Sequence, residues 1–189
     1  MKPAIEVLLT SKPLERVEGE VAVAGFFVDD RPLRSGAARA DWRLCGGLSR
    51  RIEGGDLSGK SGEALLIGCG PALRSPRLML LGLGERHAFD QMRATDEMRT
   101  ALERCRRLGF SRVAMSPLGI ASDDLPRHAA ALVTGIREAW RDGDRPLRLR
   151  FCVPRGELAG VLKAFDGAAR AVGLEGLSVA LAETDRGLR

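Results

Sequence analysis

Two glycine-containing segments have the composition that favours anion binding. Gly82-Leu-Gly-Glu-Arg86 and Ser116-Pro-Leu-Gly-Ile-Ala-Ser122 each follow a short apolar run. Backbone N–H groups between a strand and a helix can face a phosphate, so we predict ligand contacts at Gly82, Gly84, Ser116, Gly119 and Ser122. Neither segment is a P-loop or a complete GxGxxG motif. Ordinary turn glycines are the alternative interpretation.

Groups suited to catalysis are scattered along the chain. Metal-dependent hydrolysis needs converging carboxylates or imidazoles, whereas His87 and His128 stand alone and Asp123-Asp124 fits a helix start. A nucleophile needs a base within reach, and no GxSxG motif is present. Cys69 is the thiol that we expect to be most exposed, although a strand-end cysteine is more often structural. We therefore predict no catalytic residue, no metal and no cofactor.

The basic residues permit a nucleic-acid partner without requiring one. The formal net charge is +5, and nearly all of the 30 basic residues are arginines. The candidates for DNA contact lie near the ends of two predicted helices: Arg50, Arg51, Arg104, Arg106 and Arg107. The helix dipole alone explains cations there, whereas DNA binding would be backbone-directed and salt-sensitive. Trp42 and Trp140 fall on predicted helices, where we expect them to be packed.

The element that must position these groups is a strand, a glycine turn and a helix. Leu78 to Leu81 is wholly apolar, which is typical of a strand buried on both faces. In the helix that follows, one face carries Met98, Ala101, Leu102, Cys105 and Leu108. A further apolar run at 113–115 completes a βαβ unit. This pattern predicts an α/β fold.

Further elements flank this unit. Apolar runs predict strands at residues 5–9, 20–28, 63–69, 147–153 and 177–181, and helices at residues 37–52, 125–140 and 158–172. The strands on either side of the turn at 70–76 are expected to pair as a hairpin. Leucine and arginine alternate from residue 147, which indicates a strand with one wet face, near an edge. We predict one domain over residues 1–189, with a last strand and a frayed tail within 174–189.

Composition limits the possible classes of protein. The chain is 44% hydrophobic, and no apolar run approaches the roughly 20 residues that span a bilayer. The N-terminus lacks the pattern of a signal segment, so we expect a cytoplasmic protein. The four cysteines form neither a CxxC motif nor a cluster with histidine, which favours buried or free thiols over disulfides or zinc.

Three segments in this order resemble the N-terminal domain of the leucyl aminopeptidase family (peptidase family M17). They are the glycine-rich stretch Leu48–Gly62, the strand and turn Arg77–Gly84, and the strand Leu147–Pro154 followed by a helix. The resemblance covers roughly residues 5 to 173. It implies a macro-domain-like, three-layer α/β/α fold with a mixed sheet of about six strands.

The same resemblance shapes the expected function. In the family, a C-terminal domain carries two metals and the catalytic residues, and no stretch of this chain corresponds to it. The resemblance therefore implies a non-catalytic module for protein interaction or assembly, which binds itself or another protein. The first alternative is an ADP-ribose or nucleotide binder of the macro-domain type, with a residual chance of ADP-ribose hydrolysis. The second is a salt-sensitive DNA-binding protein.

Overall fold

A seven-stranded mixed sheet organises the chain in the computed structural model, which describes residues 4–172 and 176–182. The strands are β1 (Ile5–Thr10), β2 (Val21–Phe26), β3 (Ala64–Gly68), β4 (Arg77–Gly82), β5 (Arg112–Met115), β6 (Leu147–Cys152) and β7 (Leu177–Leu181). Their order across the sheet is β3-β4-β2-β5-β6-β1-β7. Only β3 runs antiparallel to its neighbour, β4. The α/β class, the hairpin and the last strand are confirmed, and the sheet has seven strands instead of about six.

Five helices cover the sheet, and each forms where apolar residues recur with helical spacing. They are α1 (Ser35–Arg43), α2 (Gly47–Glu53), α3 (Gln91–Arg107), α4 (Leu125–Trp140) and α5 (Leu158–Ala171). Helices α3, α4 and α5 pack on one face of the sheet, and α1 and α2 pack on the other. This arrangement is the predicted α/β/α sandwich. None of the described helices is both long and apolar enough to cross a membrane.

The first predicted helix, over residues 37–52, is in fact two helices. Cys45 and Gly46 both have positive φ angles, 53° and 76°, and end α1 before α2 begins. Glycine adopts this conformation without strain, and the chain turns there so that Leu48 and Ile52 reach the core. Asp41 holds the corner, because its carboxylate accepts hydrogen bonds from the Leu48 N–H at 2.8 Å and from the Ser49 hydroxyl at 2.6 Å.

The prediction that β6 lies near an edge is wrong. Strand β6 pairs with β5 on one side and with β1 on the other. The predicted wet face of β6 is confirmed, because Arg148 and Arg150 lie on a part of the sheet that none of the described helices covers. In the βαβ unit, β2 lies between β4 and β5. The tail predicted at residues 183–189 and the helix stop at Gly173 lie outside the described residues.

Candidate functional site

The two predicted anion-binding loops meet at the carboxyl ends of β2, β4 and β5. The side chain of Phe27 lies between them. A Cβ atom on Gly119 would lie 2.4 Å from Phe27 Cε2 and 3.0 Å from Leu83 Cδ1. Phe27, Leu83 and Leu118 are all almost fully buried. Apolar side chains therefore fill the space between the two loops.

The N–H groups of both glycines in the first loop are already used within the protein. The Gly82 N–H donates to Glu63 O at 3.0 Å, and the Gly84 N–H donates to Gly59 O at 2.8 Å. Gly82 also lies against the Lys60 backbone, where a Cβ atom would be 2.2 Å from the carbonyl oxygen. These glycines thus allow a close approach of the 59–61 segment. Close packing of the backbone is therefore a sufficient reason for glycine at these positions, and a bound anion is not needed to explain it.

The second loop is also held by internal contacts. The Ser116 hydroxyl is buried and lies 3.4 Å from Val23 O. Gly119 has a φ of 77°, and Ser122 begins a 3-10 turn that leads into α4. In that turn Asp124 pairs with Arg127, and its carbonyl oxygen lies 3.0 Å from His128 Nδ1. A role for these five loop residues in binding a ligand stays a prediction.

Asp30 is a buried carboxylate beside this crevice, and no motif in the sequence marks it. It accepts a hydrogen bond from the Phe27 N–H at 3.0 Å. It also forms an ion pair with Arg86, at the end of the first loop. The Arg86 guanidinium lies 4.2 Å from the centre of the Phe27 ring. Arg34 adds a second, exposed cation 3.5 Å from the same carboxylate. These contacts fasten the ends of β2 and β4 to each other.

The structure separates the five arginines that we proposed for DNA contact. Arg50 and Arg51 lie on α2, and Arg104, Arg106 and Arg107 lie on α3, across the sheet. Three of the five bind within the protein. Arg51 pairs with Asp56, while Arg50 and Arg104 donate to the carbonyl oxygens of Cys45 and Gly62. DNA binding stays a prediction, and this arrangement adds no support to it.

A large groove lies on the uncovered part of the sheet, and we call it the sheet-face groove. Its floor is formed by Glu6, Leu8, Arg148 and Arg150, with Ala182 at the end of β7. Its walls are the 11–18 segment, the end of α1 and the 71–74 turn. The volume is about 1020 Å³. Helices α1 and α2 cover β2 and β4 on this side of the sheet, and β6, β1 and β7 form the open floor.

The lining of the groove is basic. It contains six basic side chains (Lys12, Arg16, Arg43, Arg74, Arg148 and Arg150) and three glutamates (Glu6, Glu15 and Glu18). Glu6 is paired with Arg148. Glu15 Oε1 lies 3.4 Å from Arg39, whereas Glu15 Oε2 is buried without a hydrogen-bond partner among the described residues. The groove therefore offers cations to a partner.

Trp42 forms part of the groove wall, and the expectation that it is packed is wrong. Its side chain is 75% exposed, and the Arg43 guanidinium lies 5.9 Å from its ring. Trp140, in contrast, is buried and donates from Nε1 to Arg145 O at 2.8 Å. Trp42 is exposed because α1 ends one residue later, at the open side of the sheet. Its position on a predicted helix did not reveal which face it occupies.

The cysteines are also arranged differently from the prediction. Cys69 is buried, and Cys45 is the exposed thiol. Cys152 lies at the carboxyl end of β6, where burial and the nearby Glu15 carboxylate raise its pKa to about 12. Burial raises the pKa of Cys105 to the same value. No group of three or more histidine, cysteine, aspartate and glutamate residues could hold a metal within the described ranges 4–172 and 176–182.

Comparison with known proteins decides the family. The model of the Cytosol aminopeptidase family, N-terminal domain, matches residues 22–143. The chain belongs to this family. The probable cytosol aminopeptidase of Paraburkholderia phytofirmans is 29% identical over 172 residues, which cover 84% of this chain and 34% of that protein. The corresponding protein of Nitrosococcus oceani is 29% identical over 110 residues, covering 58% and 22%. The chain thus matches about a third or less of the length of these family members.

Solved structures show the same fold. A mutant of tomato leucine aminopeptidase has a TM-score of 0.65 at 17% identity, covering 91% of this chain and 38% of that chain. A mutant macrodomain of Oceanobacillus iheyensis has a TM-score of 0.66 at 12% identity, covering 86% and 88%. A Trypanosoma brucei macrodomain in complex with ADP has a TM-score of 0.64 at 13% identity, covering 87% and 77%. The N-terminal domain of the family is therefore macrodomain-like in this chain.

Proposed function

We propose that this domain is a non-catalytic assembly module that binds an acidic protein surface in the sheet-face groove. The observation that carries the proposal is that the described helices leave half of one sheet face uncovered. In an α/β/α sandwich a layer of helices covers each face of the sheet, but here β1 exposes Glu6 and Leu8, and β6 exposes Arg148 and Arg150. The groove has the location that a partner's helix or loop would cover.

The dimensions of the floor suit one helix. Two steps between neighbouring strands span about 10 Å, which is also the approximate diameter of a helix with its side chains. The excess of basic side chains favours a partner that carries carboxylates, since complementary charge speeds and orients association. Trp42 at the wall adds an exposed aromatic ring, a residue type that is enriched at protein interfaces.

The partner that we propose is a full-length member of the cytosol aminopeptidase family. The matched relatives have more than twice the length that aligns with this chain, so the remainder of such a protein can supply the acidic surface. A cytoplasmic location is part of this proposal, and the names of the relatives support it.

Mixing tests the proposal. Purified chain and the full-length Paraburkholderia phytofirmans protein are passed together over a sizing column with light-scattering detection. The proposal predicts a complex with a mass above that of either protein alone. Two separate peaks with unchanged masses, at concentrations of about 100 µM, would count against it.

Nucleotide binding at the crevice between the two loops is the second candidate function. The likeness to a macrodomain in complex with ADP favours it. The position of Phe27 between the loops weighs against it, because a ligand has to displace a buried ring. Calorimetry with ADP-ribose tests this candidate. Heat that saturates at millimolar ligand supports it, and the absence of such heat rejects it.

A further inference from the structure

Strand β3 forms one edge of the sheet, and among the described strands it has a neighbour on one side only, β4. The hydrogen bonds at its ends fix which backbone groups face outward. Glu63 O accepts from the Gly82 N–H, and the Cys69 N–H donates to Pro76 O. Because these directions alternate along an antiparallel strand, the odd-numbered residues face β4. The N–H and C=O groups of Ala64, Leu66 and Gly68 therefore point away from the sheet.

This edge lacks the features that usually prevent association. Protected edges carry a charged side chain, a proline or a bulge, whereas Ala64–Gly68 is wholly apolar and pairs in unbroken register with β4. The nearest carboxylate, Glu63, is turned back into its own loop, where it accepts from the Ser58 and Gly59 N–H groups at 2.8 Å. The β3 edge is therefore able to pair with another strand.

A shallow groove beside the strand adds side-chain contacts to the free backbone. It has a volume of about 430 Å³ and is lined by Leu44, Gly47, Arg51, Leu66, Ile67 and Gly68. Leu66 is 40% exposed. Arg51 lies at the rim but pairs with Asp56 at 3.0 Å, so its charge is balanced.

We propose that the β3 edge binds the β3 edge of a second copy of this chain. The sequence of the strand is self-complementary about its centre. In an antiparallel pair related by a two-fold axis, Leu66 faces Leu66 of the other copy, and Ala64 faces Gly68. Ala64, Leu66 and Gly68 of each copy then donate one hydrogen bond and accept one, and the two small residues leave room for the leucines. The two sheets join into one continuous sheet.

This interface goes beyond the proposed function, because it uses the opposite edge of the sheet from β1 and β7. A five-residue strand contact is small, so we expect a weak dimer that forms in the micromolar to millimolar range. Occupancy of the sheet-face groove has no part in it. The two assemblies can therefore succeed or fail separately.

Sedimentation velocity between about 10 µM and about 1 mM tests the dimer. The wild type is expected to shift from monomer to dimer over this range. Leu66→Lys and Leu66→Glu each place like charges opposite one another, so each variant alone is expected to stay monomeric at every concentration. An equimolar mixture of the two variants is expected to dimerise again, because lysine then faces glutamate. If the Leu66 substitutions prevented dimerisation only by disturbing the fold, mixing the two variants would not restore the dimer.

Matched variants control for folding and for position. Leu108→Lys, at another exposed leucine directly after α3, is expected to dimerise like the wild type, and so is the groove variant Arg148→Glu. If the Leu66 variants lose their far-ultraviolet circular dichroism, Ala64→Lys/Gly68→Lys and Ala64→Glu/Gly68→Glu, which face each other in the proposed pair and are both exposed, take their place. A wild type that stays monomeric at about 1 mM overturns the proposal. Well-folded charge variants that still dimerise alone, or whose mixture stays monomeric, overturn it as well.

Discussion

Arg148 and Glu6 stand opposite each other on neighbouring parallel strands, and their side chains form an ion pair on the open face of the sheet. The register pairs the two residues directly, and Arg148 Nε lies 2.5 Å from Glu6 Oε2. Both side chains are substantially exposed, at 52% and 38%. In a closed three-layer sandwich these positions would lie beneath a helix. Here they are available to a partner.

The exposure of this pair predicts that it contributes little to stability. Surface ion pairs are worth about 0–1 kcal/mol because water and salt screen them. Arg148→Gln and Glu6→Gln should each lower the free energy of unfolding in urea by less than about 1 kcal/mol. A loss of about 3 kcal/mol would show instead that the pair is part of a buried network.

Asp30 should behave in the opposite way, because it is buried and holds groups from two loops. Asp30→Ala leaves the Phe27 N–H without its acceptor, and an unsatisfied buried donor costs about 1–3 kcal/mol. We expect urea unfolding to show a loss of about 2 kcal/mol. Asp30→Asn retains an oxygen for that N–H and should lose less. Equal stability of Asp30→Ala and the wild type would contradict this role.

Acid should weaken the fold through Glu63. Burial acts to raise the pKa of this carboxyl group, but hydrogen bonds from the Ser58 hydroxyl and the Ser58, Gly59 and Lys60 N–H groups hold it below its ordinary value. Since the pKa is lower in the folded state, the stabilisation is complete above the unfolded value of about 4.3 and disappears as the pH falls through the folded value.

The variant Glu63→Gln isolates this contribution. Urea unfolding at pH 7 should show the wild type to be more stable than the variant, and the difference should shrink as the pH falls below about 4.3. Glu53→Gln, at an exposed position on α2, controls for the loss of one negative charge. If the difference in unfolding free energy between the wild type and Glu63→Gln grew as the pH fell, the pKa of Glu63 would be raised in the folded state instead of lowered.

Thiol reactivity should single out Cys45. It is the exposed member of the four cysteines. Burial raises the pKa of Cys69, and it raises those of Cys105 and Cys152 to about 12, so few of these thiols are ionised near pH 8. Ellman's reagent should titrate one thiol rapidly in the native protein and four after unfolding. Cys45→Ser should abolish the rapid phase, and a rapid phase that survives this substitution would locate it elsewhere.

Periodicity was sufficient to predict most elements of the fold, because it reports which side of an element is buried. It located α3, α4 and α5 and the hairpin of β3 and β4. It could not distinguish an edge strand from an open face, so the alternation at Arg148 and Arg150 suggested the wrong position for β6. The break between α1 and α2 was missed because a non-glycine residue, Cys45, takes a positive φ.

The candidate site was less accessible to sequence reasoning. The sheet-face groove brings together residues from distant parts of the chain, such as Glu6, Trp42, Arg74 and Arg148, and no local motif connects them. Asp30 belongs to no motif, and its partner Arg86 lies 56 positions away in the sequence. The two glycine loops lie together because each follows a strand of the same parallel group. Phe27, which fills the space between them, belongs to a strand pattern that gives no sign of this role.

The most direct test of the central claim is the affinity of this chain for the full-length Paraburkholderia phytofirmans aminopeptidase, measured by calorimetry for the wild type and for Arg148→Glu/Arg150→Glu. Reversal of two groove charges should weaken binding by about tenfold or more, and added salt should weaken wild-type binding. Arg107→Glu, at an exposed position on α3 across the sheet, should bind like the wild type. Equal affinity of the groove variant and the wild type would contradict the account.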